Sequence, residues 1–271
     1  MSVLNRVLNV LFDALTWPFR WMHPLLGLAI LSVLTGIGFL LVFPHVSNQK
    51  AIKRVKDLIK AHLLEIRLFK DDLMLIFKST GQILAMNGLY LLHNMRAMVV
   101  LLVPFCLIWF QLNARYAFAP LKVGDVTNFT VKLKPGTPVG DVQLALPAGV
   151  VAEATVRIPA SSEVDWRLRV TEPGDHLVSV RLGSTTIDKH LVVDGKPRSL
   201  APLRSQSILD SLLYTSEPPI ASSAAVAEIK MRYPSQSLGP FSGGEVTVAV
   251  VFLLVSLVAG FALKGLFGVQ L

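Results

Sequence analysis

Histidine and cysteine are the side chains here best suited to nucleophilic, acid–base or metal chemistry, and their spacing assembles none of it. Cys106 is the single cysteine, which excludes an intramolecular disulfide framework and any cysteine-cluster zinc or iron–sulfur site. His176 and His190 stand outside any Ser or Cys nucleophile context, and Gly-x-Ser-x-Gly does not occur. Neither a phosphate loop nor a dinucleotide fingerprint is found. His62 and Glu65, one helical turn apart, offer two metal ligands without a third, so His62 reads as a packed histidine. His93 and Asn94 are equally isolated. These residues predict no catalytic group, no cofactor, no metal and no enzyme activity.

Two other groups carry polar chemistry. Gln111, Asn113 and Arg115 close a long apolar segment, where an ionisable group inside a membrane would be functional by default and one at its edge can reach the interface. Lys50, Lys53, Arg54, Lys56 and Lys60 form a basic face suited to anionic headgroups or to ribosomal RNA, or simply to solvent. No DNA partner is expected.

The elements that position these groups follow from composition. Apolar side chains make up 52% of the 271 residues and charged ones 16%, against about 25% charged in a typical soluble domain. A spanning helix needs about 20 apolar residues, and residues 25–43, 97–113 and 246–264 each supply such a run. The fold class predicted is a multi-pass membrane protein: three transmembrane helices, a helical hairpin and an antiparallel β-sandwich. Pro104 lies inside the second span and is expected to kink it.

Residues 1–24 do not read as a cleavable signal. Val3, Leu4, Val7, Leu8, Leu11 and Leu15 recur at helical spacing opposite Asn5, Asn9 and Asp13, followed by Trp17 and Trp21. That pattern predicts an interfacial amphipathic helix, with an N-terminal extension of the first span as the alternative. Nine basic residues lie between the first two spans and two, Arg6 and Arg20, precede the first. The positive-inside rule then puts the N-terminus and the β-sandwich outside, and the hairpin and C-terminus in the cytoplasm. The expected location is the cell inner membrane.

Residues 48–96 begin and end at one membrane face and must turn back. Ile52, Ile59, Ile66 and Leu73, with Val55, His62, Phe69 and Ile76 between them, form a heptad seam of coiled-coil type. The turn is expected at Lys70-Asp71-Asp72, or at Ser79-Thr80-Gly81. From residue 118 to 195 the period changes to two, with strands expected at 124–133, 141–147, 150–158, 163–171, 176–182 and 185–194 between Gly/Pro turns. That spacing predicts a small immunoglobulin-like sandwich. Residues 196–245 read as a linker with one surface helix around Ile208, Leu209, Leu212 and Leu213, and one added edge strand near Ile229 and Met231.

Over about residues 25–115 the layout of span, basic hairpin and span resembles the YidC/Oxa/Get membrane insertase superfamily, in particular the archaeal and ER-resident branch that includes the third subunit of the ER membrane protein complex. The resemblance rests on NQKAIKRVKDLIKAHLLEIRLFKDD and on a Pro-containing span ending in QLNARY. It implies a polar groove within the bilayer, open to the cytoplasm, that helps partner helices insert. This chain departs from that pattern: its first span offers only Ser32 and Thr35, and about 130 outward residues lie between its second and last spans. The expected function is a non-enzymatic subunit or scaffold whose partners are other membrane-complex subunits. The alternative is an insertase-like chaperone engaging the ribosome or a nascent chain.

Overall fold

The computed structural model describes residues 2–195 and 198–268. Six helices occur among them: α1 (Ser2–Thr16), α2 (Pro24–Val46), α3 (Gln49–Leu68), α4 (Leu73–Tyr116), α5 (Ile208–Leu213) and α6 (Glu245–Leu263). The eight strands are β1 (Val126–Leu133), β2 (Val142–Ala145), β3 (Val150–Ile158), β4 (Glu163–Val170), β5 (Gly174–Leu182), β6 (Thr185–Val193), β7 (Leu203–Ser205) and β8 (Val226–Met231). The chain divides into two compact units, Met1–Leu28 with Leu107–Val251, and Ala29–Cys106 with Phe252–Leu271.

Helices α2, α4 and α6 are each long and apolar enough to cross a membrane. Pro24 opens α2, where its missing N–H costs nothing. The boundary expected at residue 96 is absent, because α4 runs as one helix of 44 residues, passing through Pro104. At 1.5 Å per residue it is about 66 Å long, more than twice a bilayer's hydrocarbon thickness.

In the second unit, Phe105 stacks on Phe252 at 4.9 Å between ring centroids and tilts against Phe39 at 6.2 Å. Gly36 lets α2 and α6 approach closely, since a Cβ there would lie 2.5 Å from the Ser256 carbonyl oxygen. The hairpin turn occupies residues 69–72, not 79–81. Asn48 caps α3 by accepting from the Ala51 N–H at 3.1 Å, and Asp72 caps α4 by accepting from Leu75 at 3.1 Å. Ile52 and Val55 are buried at the hairpin base. Ile59, His62, Ile66 and Ile76 are only half-buried, and Phe69 and Leu73 are exposed, so the seam closes at one end alone.

In the first unit, α1 ends at Thr16 and a short turn separates it from α2, so it does not extend that helix. The strands pair antiparallel in two sheets, β3-β4-β1-β8-β7 and β2-β5-β6. Phe129, Val131, Trp166 and Leu168 of the first sheet and Val142, Val178, Val180 and Leu191 of the second are buried in one apolar core. Gly149, at φ +86°, sits where a Cβ would come within 2.8 Å of Glu172 and His176, so only glycine fits that turn.

The expected linker over 196–245 requires correction. Within it β8 is an interior strand, pairing Phe129 with Met231 on one side and Ile229 with Arg204 of β7 on the other. The reason is long-range: β4 covers one edge of β1, and the other edge, with its row of backbone donors and acceptors, needs a second neighbour. Residues 117–119 and 234–236 bond directly (Gln236 N–H to Ala117, Ala119 N–H to Pro234). The segments following α4 and preceding α6 therefore lie side by side. The surface helix is present as α5, with Ile208 and Leu209 both 66% exposed.

Candidate functional site

The end of α4 holds the three polar residues singled out from the sequence, and α-helical geometry sorts them. Gln111 and Arg115 are four apart and share a face, whereas Asn113 points away. All three are buried. Arg115 binds Gln111 through Nη1, at 2.5 Å to Oε1 and 3.0 Å to the carbonyl oxygen. Its other face grips Asp13 Oδ1, from Nη2 at 2.9 Å and Nε at 3.3 Å, and Nη2 also donates to the Asn9 carbonyl at 3.3 Å. Phe12 lies under the guanidinium, 5.9 Å from ring centroid to Cζ. Asn113 instead donates to Glu245 at 3.4 Å, and Glu245 also accepts from the Tyr214 hydroxyl at 2.7 Å.

Asn5, Asn9 and Asp13 form one stripe along α1, each four residues from the next. Asn5 donates to the Ser211 carbonyl at 2.9 Å and Asn9 to that of Thr215 at 2.8 Å. The stripe docks α1 by its polar face and leaves Val7, Val10, Leu11 and Leu15 exposed, with Trp17 and Trp21 beyond. The side chains of Val3 and Leu4 lie outside the described residues.

Above α1 opens a polar cleft of about 360 Å³, lined by Asn9, Asp13, Arg20, Asp175, His190, Arg198 and Glu217 among others. Asp175 accepts from His190 Nδ1 at 3.1 Å and from Arg198 Nη2 at 2.8 Å. Burial raises the Asp175 pKa, but these donors outweigh it and hold the carboxyl below its usual range. Behind it, the Lys189 ammonium is fully buried and pairs with Glu217 at 2.5 Å and with the Ala201 carbonyl. Burial lowers the Lys189 pKa in spite of that partner. Glu217 also accepts the His190 N–H at 2.7 Å, and the Tyr233 hydroxyl donates to the His190 carbonyl at 3.2 Å.

Sequence reasoning set His190 aside and missed this cleft. A signal was present in β6, where Ile187, Lys189 and Leu191 alternate inward, since a lysine on a core-facing position requires a buried acceptor. Nothing local could name Glu217, 28 residues on.

On the hairpin, Lys50, Lys53, Arg54 and Lys60 are exposed, with Lys60 3.8 Å from Asp57. Lys56 is half-buried above the Tyr90 ring at 5.7 Å; burial, then Lys264 and Lys60, lower its pKa. His62 and Glu65 do meet, at 2.8 Å, and Ser79 of the opposite arm donates to Glu65 at 2.9 Å, so the pair ties the arms together. Among the described residues no group of three His, Cys, Asp or Glu could hold a metal ion. Between α2, α4 and α6 of the second unit runs a groove of about 240 Å³ lined by Phe39, Phe43, Phe105, Phe261 and aliphatic side chains, with Ser256 as its polar residue.

No family model matches the chain, and no curated protein matches it.

Proposed function

We propose that the protein is a non-enzymatic integral membrane subunit or scaffold of the cell inner membrane, with its N-terminus and β unit outside and its hairpin and C-terminus in the cytoplasm. The nine-to-two distribution of basic residues supports that orientation. The strand order supports an immunoglobulin-like sandwich. With β1 in the place of strand B, the sheets read D-E-B-A, with β7 added beyond A, and C-F-G, and β8 fills the place of strand A. Such a domain presents surfaces for other subunits.

The observation that carries this reading is that each polar side chain at the end of α4 makes a hydrogen bond within the chain, while Gln111 Nε2 and Asn113 Oδ1 are buried without a partner. Arg115 binds Asp13 and Gln111, and Asn113 binds Glu245. Such a cluster holds elements together and offers no open polar path to an inserting helix. The insertase-like alternative is supported by the hairpin's place between the first two spanning helices. Against it, the groove between the spans is almost wholly apolar.

Affinity purification of the full chain in mild detergent tests the reading. A fixed stoichiometric set of membrane partners, lost when residues 118–235 are replaced by a short linker, is expected; ribosomes and nascent chains in the eluate would favour the alternative. Orientation is checked by outer-face thiol labelling after Cys106→Ala. Ser161→Cys should react in intact cells and Thr80→Cys should not; both positions are exposed, whereas Ser79 is buried.

A further inference from the structure

We propose that the cleft above α1 binds the phosphate headgroup of an anionic phospholipid. Two adjoining cavities share Arg20 and Arg198: the polar cleft of about 360 Å³, and a pocket of about 20 Å³, roughly one water. The small pocket brings Arg20, Arg115 and Arg198 together against Phe19, Met22 and Tyr116. An anion-coordinating end and an apolar wall thus lie side by side, the division an amphiphile presents.

Charge favours an anion. Arg20, Arg115, Lys189 and Arg198 line or back these cavities, with His190 at the rim; the opposing carboxylates are Asp13, Asp175 and Glu217. Each carboxylate is already engaged, Asp13 by Arg115, Asp175 by His190 and Arg198, and Glu217 by Lys189. Among the described residues Arg20 makes one side-chain contact, to Asp13 at 3.5 Å, and Arg198 makes one, to Asp175 at 2.8 Å. A guanidinium carries five donors in a planar fork matched to phosphate oxygens, so both retain capacity for one. Their side chains are 29% and 41% exposed, open to a ligand.

The position of α1 argues for a lipid over free phosphate. Its polar stripe faces the cleft, while Val7, Val10 and Leu11 on its other side are more than half exposed. Trp17 and Trp21 follow, the side chains that settle at a bilayer interface. Acyl chains can leave past Phe19 and Met22 beside Pro24, the first residue of α2. This inference rests on the membrane reading of α1 and α2, and is independent of the scaffold role.

The test is native mass spectrometry of the full-length protein released from nanodiscs containing equal phosphatidylglycerol and phosphatidylcholine. One retained phosphatidylglycerol, favoured at least tenfold over phosphatidylcholine, is expected. Arg20→Gln with Arg198→Gln should abolish the preference, while Lys53→Gln with Arg54→Gln on the hairpin leaves it intact. Arg198→Lys keeps the charge but not the fork and should weaken retention several-fold at an unchanged melting temperature, which separates binding from misfolding. Equal loss in the hairpin variant would mean general attraction to basic surface and overturn the proposal. So would displacement of the lipid by millimolar inorganic phosphate or glycerol 1-phosphate, which would identify a soluble anion as the ligand. Carbonate extraction of membranes from the expressing cells reads the membrane assignment separately: a protein that stays in the pellet there but retains no lipid in the spectrometer refutes this inference alone.

Discussion

The β unit and the hairpin each follow a regular apolar pattern, and only one of them buries it. Along β4, Val164, Leu168 and Val170 are fully enclosed and Trp166 nearly so, while Arg167 and Arg169 face out. Along the hairpin, Ile52 and Val55 are enclosed, yet at the tip Phe69 is 50% and Leu73 69% exposed. The inner strands of a sheet are covered by a second sheet, although β3 at the edge is exposed beyond Val150, whereas two helices touch along a line and leave their flanks open. Leu64, Leu68, Met74 and Phe77 lie on those open flanks, each more than 60% exposed. Apolar periodicity therefore announces that a partner is needed; it does not say that the partner belongs to the same chain.

Substitutions can break that contrast, and the largest effect belongs to the sheet core. Trp166→Ala should cost about 3–5 kcal/mol and open the β unit, seen as protease cleavage within 118–235 with the hairpin still resistant. At the enclosed hairpin base, Ile52→Ala should cost about 2–4 kcal/mol by the same cavity argument, read from loss of helical signal on heating. Arg115→Met leaves Asp13 with Arg20 at 3.5 Å as its ion-pair partner, and that carboxylate is 48% exposed, so about 1–2 kcal/mol is expected instead of the full cost of breaking a buried pair. Its signature is release of α1 to proteolysis. Phe69→Ser with Leu73→Ser should change stability by no more than about 0.5 kcal/mol. A loss matching that of Ile52→Ala would show that the arms close along the entire seam, and the contrast would collapse.

Acid supplies the smallest probe. Hydrogen bonds from His62 and Ser79 hold the Glu65 carboxyl below its ordinary 4.5. A carboxyl depressed on folding stabilises the fold above its unfolded pKa, and that contribution disappears as pH falls through the lower folded value. The hairpin should thus become more protease-sensitive as pH falls below 4.5, and Glu65→Gln should remove that dependence.

Local pattern made much of the molecule legible. The β3 span coincides with its expected residues 150–158, and the other early strands lie within two residues of their expected bounds. The Arg115 cluster was half visible: Gln111, Asn113 and Arg115 could be picked out as polar groups closing an apolar run, but not the Asp13 and Glu245 that engage them from 102 and 132 residues away. The cleft was hidden for the same reason, because α1, β5, β6 and the segment after β6 each contribute a few ordinary-looking polar residues. The interior place of β8 was hidden too. Six residues alternating between polar and apolar look alike at an edge and in a sheet's middle, and only the long-range partner decides.

That strand also sets a clock for synthesis. While the chain is being made, β1 is complete long before β8 exists, and Phe129 must wait for Met231. Until then one side of β1 has no strand to bond, a condition that invites pairing with another chain. Closure comes only when the polypeptide has almost reached α6, which follows the sheet's final strand within about fifteen residues. A ribosome stalled before that point would leave β1 with one edge unpaired, and a chaperone that shields unpaired strands would find its substrate in that interval.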